Sequence, residues 1–200
     1  MAGSIAIIDS GGANIASLQF ALDRLGRGAS LTTDPDVIRG ADKVILPGVG
    51  AAADAMQRLR DSRLVDVIRN LRQPVLGICL GMQLLADASE EEDVDCLGII
   101  PGVARHLQVA ESFPVPNMGW CPVLRTVDTP LLAGIPDGSY FYFVHSYALP
   151  VSEFTLATAR HADAFSAVIA RDNFLAAQFH PERSSAHGAR LLRNFLESAL

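Results

Sequence analysis

Three side chains in this sequence could together do covalent chemistry on a carbonyl: the thiol of Cys79, the imidazole of His180 and the carboxylate of Glu182. A thiol attacks as its thiolate and needs a base that takes the proton and hands it to the leaving group. His180 can be that base. Glu182, two residues on, can fix its tautomer and orientation, with Pro181 stiffening the link between them. The result would be acyl transfer through a thioester. Each piece alone has an inert interpretation, a buried core cysteine in one case and a surface His-Glu loop in the other. Their combination, each at the end of an apolar run, favours catalysis.

For this to work Cys79 must sit on a turn that pushes its side chain outward. Pro74 can open a strand, Val75 to Ile78 suit a buried parallel one, and Met82, Leu85 and Ala86 fit one face of a following helix. Gly77 and Gly81 flank the cysteine where strand and helix approach most closely, as in a nucleophile elbow. The helix N-terminus favours thiolate, and its backbone N–H groups can receive the charge of a tetrahedral intermediate. An earlier strand, Val44 to Leu46, runs into Pro47-Gly48-Val49-Gly50. In a parallel sheet the loops leaving neighbouring carboxyl ends line one crevice, so this stretch is a candidate oxyanion loop.

The remaining elements supply the frame. Ile5 to Ile8 reads as a first strand, Ser10-Gly11-Gly12 as a turn, and Ile15, Leu18, Leu22 and Leu25 as a helix stopped by Gly26. Gly-x-Gly-x-x-Gly is not completed there, which speaks against dinucleotide binding. Asp34-Pro35-Asp36 reads as a turn and Ala51 to Leu71 as one or two helices. Ser89 to Asp95 is acidic and reads as a solvated loop without function. From Leu97 to Phe179 the chain is richer in strands, with Arg171-Asp172-Asn173 as a hairpin turn, and Ala186 to Leu200 forms a closing amphipathic helix. The βαβα rhythm implies an α/β fold of flavodoxin type: a mostly parallel central sheet with helices on both faces, plus a strand-rich second half. No linker or repeat interrupts it, so residues 1–200 are expected to form a single domain.

Composition narrows the partners. Half the residues are hydrophobic, and 16 basic against 22 acidic residues give a net charge of −6 with no Lys/Arg run, which argues against nucleic acid. No segment approaches the roughly 20 apolar residues of a membrane span. Cys79, Cys96 and Cys121 are widely spaced without Cys-x-x-Cys, so neither a disulfide framework nor a zinc knuckle is indicated, and a reducing cytoplasm fits. No metal cluster, Walker loop or completed dinucleotide motif is present to hold a nucleotide or metal-bound substrate.

Gly77-Ile78-Cys79-Leu80-Gly81-Met82-Gln83 together with Gln178-Phe179-His180-Pro181-Glu182 resembles the class I glutamine amidotransferases. Pro47 to Gly50, Val115-Pro116-Asn117-Met118-Gly119-Trp120 and Phe143-Val144-His145-Ser146-Tyr147 resemble the glutaminase subunits of imidazole glycerol phosphate synthase. The resemblance implies a triad of Cys79, His180 and Glu182, and an oxyanion hole from Leu80 and Gly48, Val49 and Gly50. It implies glutamine contacts from Gln83, His145, Ser146 and Tyr147, and a partner face holding Asn14, Asn117, Trp120 and Arg183. It also implies no cofactor, and ammonia passed to a (βα)8-barrel cyclase that makes imidazole glycerol phosphate and aminoimidazole carboxamide ribonucleotide. Departures stand at Ser10, Ala13, Asn117, Cys121 and Arg183, where the family usually has Tyr, Gly, His, Asn and Lys. The glutaminase subunit of pyridoxal 5'-phosphate synthase and a catalytically silent amidotransferase-like binding subunit are the alternatives.

Overall fold

A computed structural model describes residues 3–11 and 15–198; Asn14 therefore lies outside the described residues, as do Gly12, Ala13 and the last two residues of the closing helix run. The first half alternates as expected: β1 (Ile5–Ile8), α1 (Ile15–Arg24), β2 (Ser30–Thr32), α2 (Pro35–Gly40), β3 (Lys43–Gly48), α3 (Ala52–Asp61), α4 (Val65–Arg69), β4 (Val75–Cys79) and α5 (Leu80–Leu84). The second half is strand-rich: β5 (Ala88–Ser89), β6 (Val94–Asp95), β7 (Val103–His106), β8 (Asn117–Pro122), β9 (Leu124–Arg125), β10 (Tyr140–His145), β11 (Tyr147–Ala148), β12 (Thr155–His161), β13 (Asp163–Arg171) and β14 (Phe174–Ala177), closed by α6 (Ser185–Glu197).

Eight strands form the main sheet in the order β2-β1-β3-β4-β14-β13-β12-β9. The pairs from β2 through β14 are parallel, and those from β14 outward to β9 are antiparallel. Alternate side chains point to opposite faces, and two cores result. Ile5, Ile7, Ile45, Leu76 and Ile78 pack beneath α1 and α6, with Leu18, Leu22, Leu191 and Phe195. Ala6, Ile8, Val44, Leu46 and Val75 pack on the other side with Met56, Leu59, Ile68 and Leu84 from α3, α4 and α5. The topology brings β14, which leads to His180, alongside β4, which ends at Cys79. Residues 101 positions apart in the chain thus meet at the carboxyl edge of the sheet.

Three local expectations are corrected. Asp34-Pro35-Asp36 is not a free turn: the Asp34 side chain caps α2, accepting from Asp36 N at 2.8 Å, with Pro35 at the first helical position. The elbow helix is one short segment, buried along its whole length rather than on one face. The acidic stretch is not a plain solvated loop, because it contains β5, β6 and a 3-10 turn at Glu91–Asp93.

Candidate active site

Cys79 ends β4 with φ +53 and ψ −111, a conformation costly for a residue bearing Cβ and maintained by what surrounds it. A Cβ on Gly81 would overlap the carbonyl oxygen of Leu46 in β3, and one on Gly77 would come 2.9 Å from the Gly81 oxygen. Only glycine lets β4 and α5 close this tightly, and the closure turns the Cys79 side chain toward the crevice. Gly48 pairs with Cys79 in register across β3 and β4, and a Cβ there would meet Leu80 Cβ at 3.0 Å and Gly81 N at 3.1 Å. The candidate oxyanion loop thus rests against the start of α5.

That loop is tied at both ends by residues whose contribution the sequence did not reveal. The buried Ser10 hydroxyl donates to Pro47 O at 2.7 Å, and Glu91 Oε2 accepts from Ala52 N at 2.8 Å, just beyond Gly50 with its φ of +98. Glu91 belongs to the stretch read as functionless, yet it lines the cavity.

His180 Nδ1 and Glu182 Oε1 lie 2.8 Å apart, with both side chains 3% exposed. Burial alone would push the imidazole down. Hydrogen bonds to Cys79 and to Glu182, and the charges of both, outweigh it and push His180 up to about 10. The ring is therefore held as imidazolium beside Cys79. Its backbone is locked to β10: His180 N donates to Tyr142 O at 2.9 Å, Ser184 Oγ donates to His180 O at 2.7 Å, and Tyr142 N donates to Ser184 Oγ at 2.9 Å. The same strand reaches the nucleophile, with Val144 O 3.8 Å from Cys79 Sγ.

A cavity of about 270 Å³, toward the small end for ligand sites, opens between these elements. Cys79, Leu80, Gln83, Val49, Gly50, His145, Ser146, Tyr147 and His180 all face it. A smaller apolar crevice behind includes Gly48 and Glu182. Gln83 spends both amide N–H bonds inside the protein, on Tyr147 O at 2.8 Å and Gln178 Oε1 at 3.1 Å, so what it can offer a ligand is its carbonyl oxygen. His145 shapes the wall rather than reaching into the cavity. Its Nδ1 faces Tyr147 O at 2.9 Å and its Nε2 faces Asn117 Nδ2 at 3.1 Å, and burial holds it down at about 4, so it is neutral with the proton on Nδ1.

The expected partner residues divide. Trp120 is half exposed and packs on Tyr142 (ring centroids 6.1 Å apart), whose ring also carries the Arg183 guanidinium at 4.4 Å. Asn117, expected on the same face, is instead 3% exposed and bonds His145 and the Cys121 thiol. The alternation of β8 turns it inward. Among the described residues no group of three or more His, Cys, Asp or Glu could hold a metal ion, and no helix is long and apolar enough to cross a membrane.

Comparison with known proteins places this geometry. Residues 6–199 match the family model for glutamine amidotransferase class-I. The imidazole glycerol phosphate synthase subunit HisH of Xanthomonas axonopodis pv. citri (strain 306) is 52% identical over 193 residues, 96% of each chain. The subunit of the same name from Vibrio cholerae is 47% identical over 203 residues, 98% of this chain and 100% of the relative. A crystal structure of a glutamine amidotransferase superposes with a TM-score of 0.75 at 21% identity over 98% of both chains. PurLQS from Thermotoga maritima gives 0.71 at 16% identity over 98% of both. These two likenesses concern the fold alone. The chain belongs to the class I glutamine amidotransferase family and, through relatives 47–52% identical over nearly its full length, to the imidazole glycerol phosphate synthase subunits within it.

Proposed function

We propose that residues 1–200 act as one glutaminase domain, the ammonia-producing subunit of an imidazole glycerol phosphate synthase in histidine biosynthesis, with Cys79, His180 and Glu182 as its catalytic residues. The observation that carries this reading is the outward-turned Cys79 beside a His180 imidazolium backed by Glu182. The thiolate attacks the side-chain amide carbon of glutamine, and the C=O electron pair moves to oxygen. In this reading the backbone N–H groups of Leu80 and of the Gly48-Val49-Gly50 loop receive that charge, a role supported by Leu80, Val49 and Gly50 lining the cavity beside Cys79. His180 gives its proton to the amide nitrogen, the C–N bond breaks, and ammonia departs. Water then adds to the thioester with His180 as base, the C–S bond breaks, and glutamate leaves with the thiolate restored. Every proton is supplied by His180 or water, and no cofactor is consumed. Gln83, Ser146, Tyr147 and His145 wall the site that holds the substrate's amino-acid end.

Ammonia must be handed on, and the solvent face of the β8–β10 ribbon is the proposed seat of a (βα)8-barrel cyclase. Met118, Trp120 and Tyr140 are exposed there, with Arg183 on Tyr142. Three free thiols fit a reducing cytoplasm. The names of the relatives do not favour the pyridoxal 5'-phosphate synthase alternative. In complex with the cyclase, Cys79→Ala should lose glutamine-supported synthesis by at least about 10⁴-fold while keeping synthesis from an ammonium salt. Glutamate release at the wild-type rate would overturn the nucleophile assignment and, with it, this reading.

A further inference from the structure

Gln178 is fully buried, comes from the segment between β14 and His180, and has no role in the mechanism above. Its amide lies between Gln83 and the nucleophile: Oε1 accepts from Gln83 Nε2 at 3.1 Å, and Nε2 is 3.8 Å from Cys79 Sγ. The orientation of both amides is forced. The Tyr147 carbonyl can only accept, so it must meet the NH₂ of Gln83, 2.8 Å away. That NH₂ carries two protons, and the second must find an acceptor, which only the oxygen end of Gln178 provides. With its oxygen committed, Gln178 has to present N–H to the sulfur. Turning either amide over would set donor against donor, or acceptor against acceptor, between buried groups. His145 Nδ1–H donates to the same Tyr147 carbonyl and fixes its position from the other side.

We infer that Gln178 is a positioning residue of the glutaminase site, its amide N–H aimed at the Cys79 sulfur by the Tyr147–Gln83 relay so that the thiolate is held facing the cavity. This rests on the reading of Cys79 as nucleophile. A hydrogen bond to the charged form favours that form. Gln178 then joins His180, which also bonds the thiol, in fixing where the sulfur sits. Other groups near the thiol are Glu182 behind His180, Glu91 across the cavity and the neutral His145, and none is altered by a change at 178.

Gln178→Glu keeps the shape and the acceptor for Gln83 but turns an oxygen toward the sulfur. Gln178→Met removes the donor without adding charge. The test is the pH dependence of Cys79 alkylation by iodoacetamide on the full-length chain, together with kcat and KM for glutamine in the complex. Gln178→Glu should displace the alkylation profile upward by about one pH unit or more, as a like charge near a thiolate does. Gln178→Met should displace it in the same direction by less, and in both the loss should fall on kcat more than on KM. If either folded variant alkylates with the wild-type profile, Gln178 is a packing residue and the inference is wrong. A wild-type Cys79 no more reactive than an ordinary thiol would instead defeat the underlying nucleophile assignment.

Discussion

Two regions wall the same cavity on opposite terms. Around the elbow, position is dictated by backbone against backbone: Gly81 on the Leu46 carbonyl, Gly77 on Gly81, Gly48 on Leu80, with no room for a methyl group. Across the cavity, a Cβ added to Gly119 in the β8–β10 ribbon would meet nothing within 4 Å, and the neighbouring side chains Met118 and Trp120 stand in solvent. The nucleophile is thus placed by steric necessity deep in a close-packed sheet. The ribbon is placed by strand pairing, by Phe141 and Phe143 packed on Phe179 and by the Tyr142 backbone bonds to His180 and Ser184, while its outer face is exposed. Yet one strand, β10, joins them, touching Cys79 through Val144 O and His180 through Tyr142 O while its outer face carries the Tyr142 ring under Arg183. A partner seated on the ribbon as proposed above would bear on the strand whose backbone contacts Cys79 and His180.

The sharpest way to break this contrast is Gly81→Ala. The added methyl must displace Leu46 or reopen the β4–α5 junction, and the expected cost is more than about 3 kcal/mol in denaturant unfolding, at the severe end for overpacking, with glutaminase activity lost. Near-normal stability would show that the elbow is looser than its geometry.

The second largest effect concerns pH. His145 is held down at about 4, chiefly by burial, against an ordinary 6.5. Between those values the unfolded chain binds a proton at this residue and the folded protein does not, so stability falls as the solution is acidified through that window. The full span corresponds to about 3 kcal/mol. His145→Gln can still donate to Tyr147 O and accept from Asn117, so it should flatten the acid limb of the stability profile between pH 6.5 and 4. An unchanged limb, measured by urea midpoints across that range, would mean that His145 is not buried neutral.

The smallest effect belongs to the ribbon. Trp120→Ala removes a half-exposed ring and should leave the fold intact while weakening cyclase association by more than about 1 kcal/mol, as calorimetric titration would read. Normal binding and coupling would move the docking face elsewhere.

What the sequence made legible follows the same division. The elbow was readable because its glycines are a local requirement of a local shape, and the βα alternation was readable because apolar periods of two and of about 3.6 differ along the chain. The helix behind Asp34-Pro35 carried a cap signature and was legible in principle. Asn117 shares a motif with the exposed Trp120, and only the alternation along β8 separates them by turning Asn117 toward His145. Glu91 and Gln178 were not legible. Acidic composition reads as solvated surface, and nothing near Glu91 in sequence announces that it meets Ala52 N. Gln178 acquires its role only when Gln83 and Tyr147, brought from distant segments, decide which way its amide faces.

The central claim is that Cys79 becomes acylated by glutamine. The direct measurement is rapid acid quenching of the complex turning over carbon-labelled glutamine, followed by peptide mapping. The account predicts label bound as a thioester on the peptide containing Cys79, present at steady state and absent in Cys79→Ala. Label on any other peptide, or glutamate released with no label ever held by Cys79, would contradict it.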